Sequence, residues 1–263
     1  EIIQIGKNVN KKYKKGNWVI PSKPGFGTWR THAICKEDAL SLIPNTIPAE
    51  YAANLAVNPC TAYRLLRDFT SLQKGDVIIQ NGANSTVGQS VIQIAKQMGV
   101  KTINLVRHRR EGPEQVVEHL YSLGADLVLT DNNVPRSIDI DNIKPKLALN
   151  CIGGRSSMQL TNLLDNKGIL VTYGGMSRKP VNVQTGKLIF NDITIKGFWL
   201  SRWIEENTEE ARMSMINEMA KMVELNQLIL PFKQLDFITQ FDQAIYESKK
   251  EYKNEKIVFK FKN

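Results

Sequence analysis

Cysteine is scarce in this chain. Three occur in 263 residues, Cys35, Cys60 and Cys151, and none forms a CxxC pair. An odd count without paired spacing argues against a disulfide framework and fits a reducing compartment. Histidine is equally rare, with only His32, His108 and His119. The six residues show no zinc-ligand spacing, so no metal site is expected. His32 and Cys35 come closest, but in a strand that spacing would point them to opposite faces. There is no run of about 18 or more apolar residues, so no membrane-spanning helix is expected. The opening segment Glu1-Ile2-Ile3-Gln4-Ile5-Gly6 has neither the basic nor the apolar region of a signal peptide. It reads as a strand already under way. With no initiator Met, the chain is expected to begin inside a domain.

Negative charge is in deficit: 35 Lys and Arg stand against 26 Asp and Glu, a net charge of +9. Lys7, Lys11, Lys12, Lys14 and Lys15 cluster early, and Lys249, Lys250, Lys253, Lys256, Lys260 and Lys262 cluster late. Dispersed Lys/Asn stretches of this kind read first as a solvated surface. A basic cleft would also draw in phosphate-bearing small molecules. A nucleic-acid footprint would show as steep salt-dependent binding; no nucleic-acid partner is expected. Apolar content of 42% and charged content of 23% are those of an ordinary globular protein.

What is present is organised in two styles. Residues 1–50 are irregular and β-like, broken by Pro21, Pro24, Gly25, Gly27, Pro44 and Pro48, with short strands expected over 16–21 and 27–34. A helix is expected over 49–67. From residue 75 onward, compact apolar strands alternate with helical periodicity. Strands are expected at 77–81, 102–106, 126–130, 147–152, 168–173 and 193–198. Helices are expected over 89–98, over 114–123 with Gly124 ending it, and from Gly153-Gly154 through Leu164. This alternation predicts an α/β fold: a Rossmann doubly wound parallel sheet, with ligands at the carboxyl ends of its strands. A long amphipathic helix over 207–227, a helix near 241–249 and a last strand at 256–259 are expected to return to the N-terminal β-rich part. The domain division read from the sequence is 1–60, 61–205 and 206–263.

The loop after the first strand of the alternating region is Gly82-Ala83-Asn84-Ser85-Thr86-Val87-Gly88. Its first and last residues are the glycines that a dinucleotide-binding turn needs, for the tight turn and for helix–sheet packing. Ser85 and Thr86 can donate hydroxyl hydrogen bonds, and the following helix offers free N–H groups and partial positive charge to phosphate. The plainer reading is a turn without a ligand. After the second strand stands Val106-Arg107-His108-Arg109-Arg110. An NAD enzyme tends to carry an acidic residue there for the ribose 2′-OH. Guanidinium forks match a 2′-phosphate instead, which favours NADPH over NADH; the plainer reading is a solvent-facing basic loop. Tyr173-Gly174-Gly175-Met176 and Phe198-Trp199-Leu200 end the fifth and sixth strands. They could cover a nicotinamide or an acyl tail, or pack in the core.

Taken together, Val57-Asn58-Pro59-Cys60-Thr61-Ala62-Tyr63-Arg64, Ala83-Asn84-Ser85, Leu149-Asn150-Cys151-Ile152-Gly153-Gly154, Tyr173-Gly174-Gly175-Met176 and Gly197-Phe198-Trp199-Leu200-Ser201 resemble one family. It is that of the mitochondrial trans-2-enoyl-thioester reductases, in the zinc-free branch of the medium-chain dehydrogenase/reductase superfamily. The resemblance runs through essentially the whole chain. It implies a Rossmann domain inserted in a GroES-like β-rich catalytic domain, here N-terminally incomplete. It implies a homodimeric oxidoreductase of mitochondrial fatty-acid biosynthesis that uses NADPH to reduce enoyl thioesters of CoA or acyl carrier protein. By the same resemblance Asn58 contacts the cofactor, as do Asn84, Ser85, Thr86 and Val87. Arg107, His108 and Arg109 hold the 2′-phosphate. Tyr173, Gly174, Gly175 and Met176, with Phe198, Trp199 and Leu200, line the nicotinamide side, and Lys256 matches a further cofactor-binding lysine.

Two departures stand out. Thr86 occupies a position that is usually Gly in the family. The family's proton-donating tyrosine belongs to a part of the β-rich domain that precedes residue 1. Neither Tyr13 nor Tyr63 matches its motif, so the catalytic residue is unknown and the chain alone is expected to lack its proton donor. The chemistry implied is conjugate reduction: hydride to the β-carbon, charge held on the thioester oxygen by hydrogen-bond donors, and a proton to the α-carbon. The alternatives are a quinone or alkenal reductase of the same superfamily and an NADPH-binding protein without catalysis.

Overall fold

The structure is a computed structural model and describes residues 1–109, 113–250 and 254–261. The chain divides into two compact units, Glu1–Cys60 with Leu200–Asn263, and Thr61–Trp199.

In the first unit, β1 (Trp18–Pro21) pairs antiparallel with β2 (Leu40–Ile43). The segment 27–34, expected as a strand, is not one. Gly25 and Gly27 adopt positive φ, at 86° and 75°. No ladder partner meets the segment among the described residues, and a strand without one leaves its amides to water. Trp29 instead sets its ring edge-on against Phe241 and Phe259, at centroid distances of 6.0 and 5.4 Å. The opening residues are likewise not a strand. Ile2 donates its N–H to the Asn17 carbonyl at 2.9 Å and accepts the Gly16 N–H at 2.8 Å.

The helix expected over 49–67 is two helices, α1 (Ala49–Leu55) and α2 (Asn58–Arg67). Pro59 explains the break. It has no N–H to donate to the carbonyl four residues earlier, so the ladder cannot run through it.

The second unit is the sheet expected from the alternating pattern. β3 (Val77–Asn81), β4 (Lys101–Val106), β5 (Leu127–Thr130), β6 (Leu147–Asn150), β7 (Ile169–Thr172) and β8 (Thr194–Gly197) are all parallel. Their spatial order is β5-β4-β3-β6-β7-β8. The order reverses between β3 and β6, the switch point where such sheets bind ligands. Helices α3 (Thr86–Met98), α4 (Pro113–Ser122), α5 (Gly154–Leu163) and α6 (Thr185–Phe190) connect the strands; α6 is not expected from the sequence pattern.

Strand alternation sorts the core. On one face Val77 and Ile79 join Ile103, Leu105, Ala148 and Leu160. A second cluster gathers Ile92 of α3, Val116 and Leu120 of α4, and Val128. On β3 the side chain of Gln80, opposite in phase to Ile79, reaches α3 and donates to the Gly88 carbonyl at 2.9 Å.

The first unit resumes with α7 (Leu200–Glu206), α8 (Glu209–Glu224), β9 (Phe232–Asp236), α9 (Phe241–Lys249) and β10 (Lys256–Lys260). The expected long helix 207–227 is α8, capped by Thr208, whose hydroxyl accepts the Ala211 N–H at 3.2 Å. β9 and β10 pair in parallel. Arg212 of α8, only 4% exposed, ties the unit together. Its guanidinium donates to the Pro21 carbonyl at 2.8 Å and to the Ser41 hydroxyl at 2.6 Å. No helix among the described residues is long and apolar enough to cross a membrane.

Candidate active site

Because the six strands are parallel, their carboxyl ends share one edge. The loops 82–85, 107–109, 151–153 and 173–176 leave that edge in the second unit.

The loop after β3 is shaped by its two glycines. Gly82 adopts φ +60°, and a Cβ there would lie 2.6 Å from the Cys151 sulfur. A Cβ on Gly88 would meet the Ala83 backbone at 2.6 Å, so the first turn of α3 presses directly on the end of β3. Ser85 is the N-cap of α3: its hydroxyl accepts the Gly88 N–H at 3.1 Å, leaving its proton to donate outward. Thr86 opens the helix and is not among the residues with positive φ, so its side chain strains no backbone. Asn84, Ser85, Thr86 and Val87 are all half-buried.

Beneath the loop lies a frame of amide side chains that the sequence motifs do not single out. Asn81 and Asn150 end β3 and β6 and are essentially fully buried. Asn81 Nδ2 donates to Asn150 Oδ1 at 2.8 Å and to Ser156 Oγ at 3.0 Å. Asn81 Oδ1 accepts the Cys151 N–H at 2.8 Å. Asn150 Oδ1 also accepts the Gly153 N–H at 3.0 Å, and Asn150 Nδ2 donates to Thr172 Oγ1 at 3.1 Å. The frame cross-links the ends of β3, β6 and β7, and a satisfied buried network of this kind rigidifies what it supports. Its signal in the sequence is an asparagine at the last position of two buried strands.

Cys151 sits within this frame. Burial pushes its thiol up to about 11, so it stays protonated and packs as a small apolar group.

Tyr173 follows β7, its N–H donating to the Asn150 carbonyl at 2.9 Å. Its ring is half-buried, and its hydroxyl is enclosed beside the Cys151 thiol and the Ser85 hydroxyl without a hydrogen bond of good geometry among the described residues. Burial first, then the adjoining Cys151 thiol, push this hydroxyl well above the ordinary phenol range. An enclosed, unsatisfied hydroxyl costs about 1–3 kcal/mol, a cost that a ligand oxygen would relieve. Gly174 and Gly175 follow, with nothing within 4 Å of a Cβ at Gly175, and Met176 is exposed.

After β4, Arg107 and His108 are exposed and Arg109 is half-buried; Arg110 lies outside the described residues. Phe198 follows β8 and meets Phe69 edge-on at 5.9 Å, and Trp199 is exposed. Asn58, Leu200 and Lys256 belong to the other unit. Asn58 is half-buried at the start of α2, Leu200 is buried at the start of α7, and Lys256 is exposed at the start of β10. The second unit thus brings together the residues of loops 82–88, 107–109 and 173–176, with Phe198 and Trp199.

The arrangement fits a dinucleotide. It offers a glycine-bounded turn at the N-terminus of a 13-residue helix, an unsatisfied hydroxyl beside it, and guanidinium groups at the next strand end. Among the described residues no group of three or more His, Cys, Asp or Glu could hold a metal ion.

Comparison with known proteins agrees with this geometry. Residues 86–219 match the family described as zinc-binding dehydrogenase. The chain is 49% identical over 222 residues to the mitochondrial enoyl-acyl-carrier-protein reductase of Caenorhabditis elegans, a match covering 84% of this chain and 63% of that protein. It is 43% identical over 256 residues to the protein of the same name from Rattus norvegicus, covering 96% and 68%. A solved complex of Etr1p with NADP and crotonyl-CoA superposes with a TM-score of 0.86 at 32% identity, over 94% of this chain and 75% of that one. The chain thus spans less than two thirds of the length of the nematode relative. It belongs to the zinc-binding dehydrogenase family, among its mitochondrial enoyl-acyl-carrier-protein reductases.

Proposed function

We propose that the complete protein of which this chain is part reduces the 2,3 double bond of trans-2-enoyl thioesters with NADPH, in mitochondrial fatty-acid synthesis. The observation that carries the reading is the glycine-bounded turn and amide frame at the carboxyl ends of β3, β6 and β7, found in a chain so similar to enoyl reductases. NADPH, when bound, supplies the hydride. The chain's own residues bind, orient and exclude water. In this reading the first turn of α3 and the Ser85 hydroxyl hold the pyrophosphate side, and Arg107, His108 and Arg109 take the 2′-phosphate. Asn84, Thr86 and Val87 form the rest of the turn. Tyr173-Gly174-Gly175-Met176 and Phe198-Trp199 line the nicotinamide side. The complete protein is the unit of the proposal, because the chain spans 63% of the length of the nematode relative.

The assembly proposed is a homodimer. β8 is the edge strand of the sheet and all four of its residues are exposed. Beside it in sequence, Ile189 and Phe190 of α6 are 65% and 83% exposed. An open edge flanked by apolar side chains is a surface that a second copy would cover.

The test is NADPH oxidation at 340 nm by the complete protein with crotonyl-CoA and longer 2-enoyl-CoA substrates. Turnover is expected with the thioesters. Turnover with quinones or alkenals alone would replace the reading with that of a different reductase, and NADPH binding without turnover on any acceptor would leave a non-catalytic binding protein.

A further inference from the structure

Asp131 carries no signal in the sequence, yet it joins three segments beside the basic turn. It is the first residue after β5 and is half-buried. Its N–H donates to the carbonyl of Val106, the last residue of β4, at 2.9 Å. Its carboxylate Oδ1 accepts the backbone N–H of His108 at 2.8 Å. Its carbonyl accepts Nε2 of Gln159, on α5, at 2.7 Å.

The Val106 carbonyl and the His108 N–H belong to the two peptide groups that flank Arg107. Holding both from one residue fixes the orientation of those peptide planes. They in turn set the direction in which Arg107 leaves the backbone and in which the chain runs on to Arg109. A carboxylate accepting an amide N–H is a charge-assisted bond, stronger than its neutral counterpart. Gln159 anchors Asp131 from behind, so the clamp rests on α5 and not on the turn alone.

We propose that Asp131 is a positioning residue for cofactor choice: its carboxylate holds the turn that presents Arg107 and Arg109 to the 2′-phosphate, and so sets the preference for NADPH over NADH. The inference rests on the reading of 107–109 as the 2′-phosphate turn. The charge of Asp131 works in the opposite direction, since a carboxylate near a phosphate repels it. Geometry and charge therefore predict opposite signs and can be separated. Selectivity is a difference of two affinities, and contacts common to NADPH and NADH cancel from it.

The experiment is fluorescence titration of the complete protein with NADPH and with NADH, for wild type, Asp131→Ala and Asp131→Asn, with a thermal melt of each. Asparagine keeps an oxygen that can accept the His108 N–H; alanine does not. The expected result is a fall in the NADPH-to-NADH affinity ratio of roughly tenfold in Asp131→Ala, with Asp131→Asn within about twofold of wild type, on the scale of one strong charged contact. NADH affinity should hardly change in either. A ratio that stays unchanged in Asp131→Ala overturns the proposal, as does equal weakening of both cofactors, which would mark a purely structural role. A ratio that rises in both variants overturns it in favour of simple repulsion by the carboxylate. A wild-type protein that takes both cofactors equally refutes the reading of the turn itself, and the inference falls with it.

Discussion

Tyr173 and Cys151 show how neighbouring groups at one strand edge can differ in what they offer a ligand. The thiol is enclosed, pushed up to about 11, and donates to the Asn81 carbonyl at 3.6 Å. It has little left to give. The Tyr173 hydroxyl is enclosed and unsatisfied. Removing an unsatisfied buried hydroxyl relieves a desolvation cost, whereas removing one that meets a ligand forfeits a contact. Tyr173→Phe should therefore hold or raise the melting temperature of the cofactor-free protein. The same variant should weaken NADPH binding roughly fivefold, the worth of one net hydrogen bond of about 1 kcal/mol. Calorimetry of both states decides it: a variant that melts lower without cofactor, or that binds NADPH as well as wild type does, would show that the hydroxyl has a structural partner instead.

At the scale of elements, the contact between β3 and α3 depends on Gly88. Its missing side chain lets the helix N-terminus sit against Ala83, and Gln80 holds the Gly88 carbonyl from the sheet side. A methyl group at this position would collide with backbone, which cannot rotate out of the way. Gly88→Ala should cost about 1–3 kcal/mol, the usual range for overpacking, and should move the phosphate turn enough to weaken NADPH as well. Urea denaturation reads the first effect and cofactor titration the second. A variant of wild-type stability would mean that α3 can slide on the sheet. The break between α1 and α2 is governed equally locally, by a proline lacking the N–H that the helix ladder needs at Pro59.

For the whole molecule, the proposed dimer gives the most direct expectation. The complete wild-type protein should sediment as a dimer, and the double variant Phe190→Glu with Ile195→Lys should shift it to monomer. The added charges stand on an edge strand and on the helix before it, away from the carboxyl-end loops. NADPH binding by the second unit should therefore survive the change. A wild-type protein that sediments as a monomer at micromolar concentration removes the proposal. A double variant that remains dimeric moves the interface elsewhere.

Much of the second unit is legible in the amino-acid sequence. All six strands, α3, α4 and α5 follow from local patterns: short apolar runs, helical periodicity and glycine punctuation. Their regularity also forecasts a parallel sheet. Backbone sterics and burial act over a few residues, so they leave their record in sequence. The glycine-bounded turn and the Arg-His-Arg stretch are legible for the same reason, because each is contiguous. The segment 27–34 misleads because its composition suits a strand, while pairing depends on a partner elsewhere in the chain. The amide frame of Asn81, Asn150 and Thr172, the enclosure of the Tyr173 hydroxyl and the three-way clamp at Asp131 are decided by tertiary structure alone. Each joins strand ends that are neighbours only once β4, β5, β3, β6 and β7 lie side by side, and hydrogen bonds reaching only about 3 Å are fixed by that placement and not by any spacing along the chain.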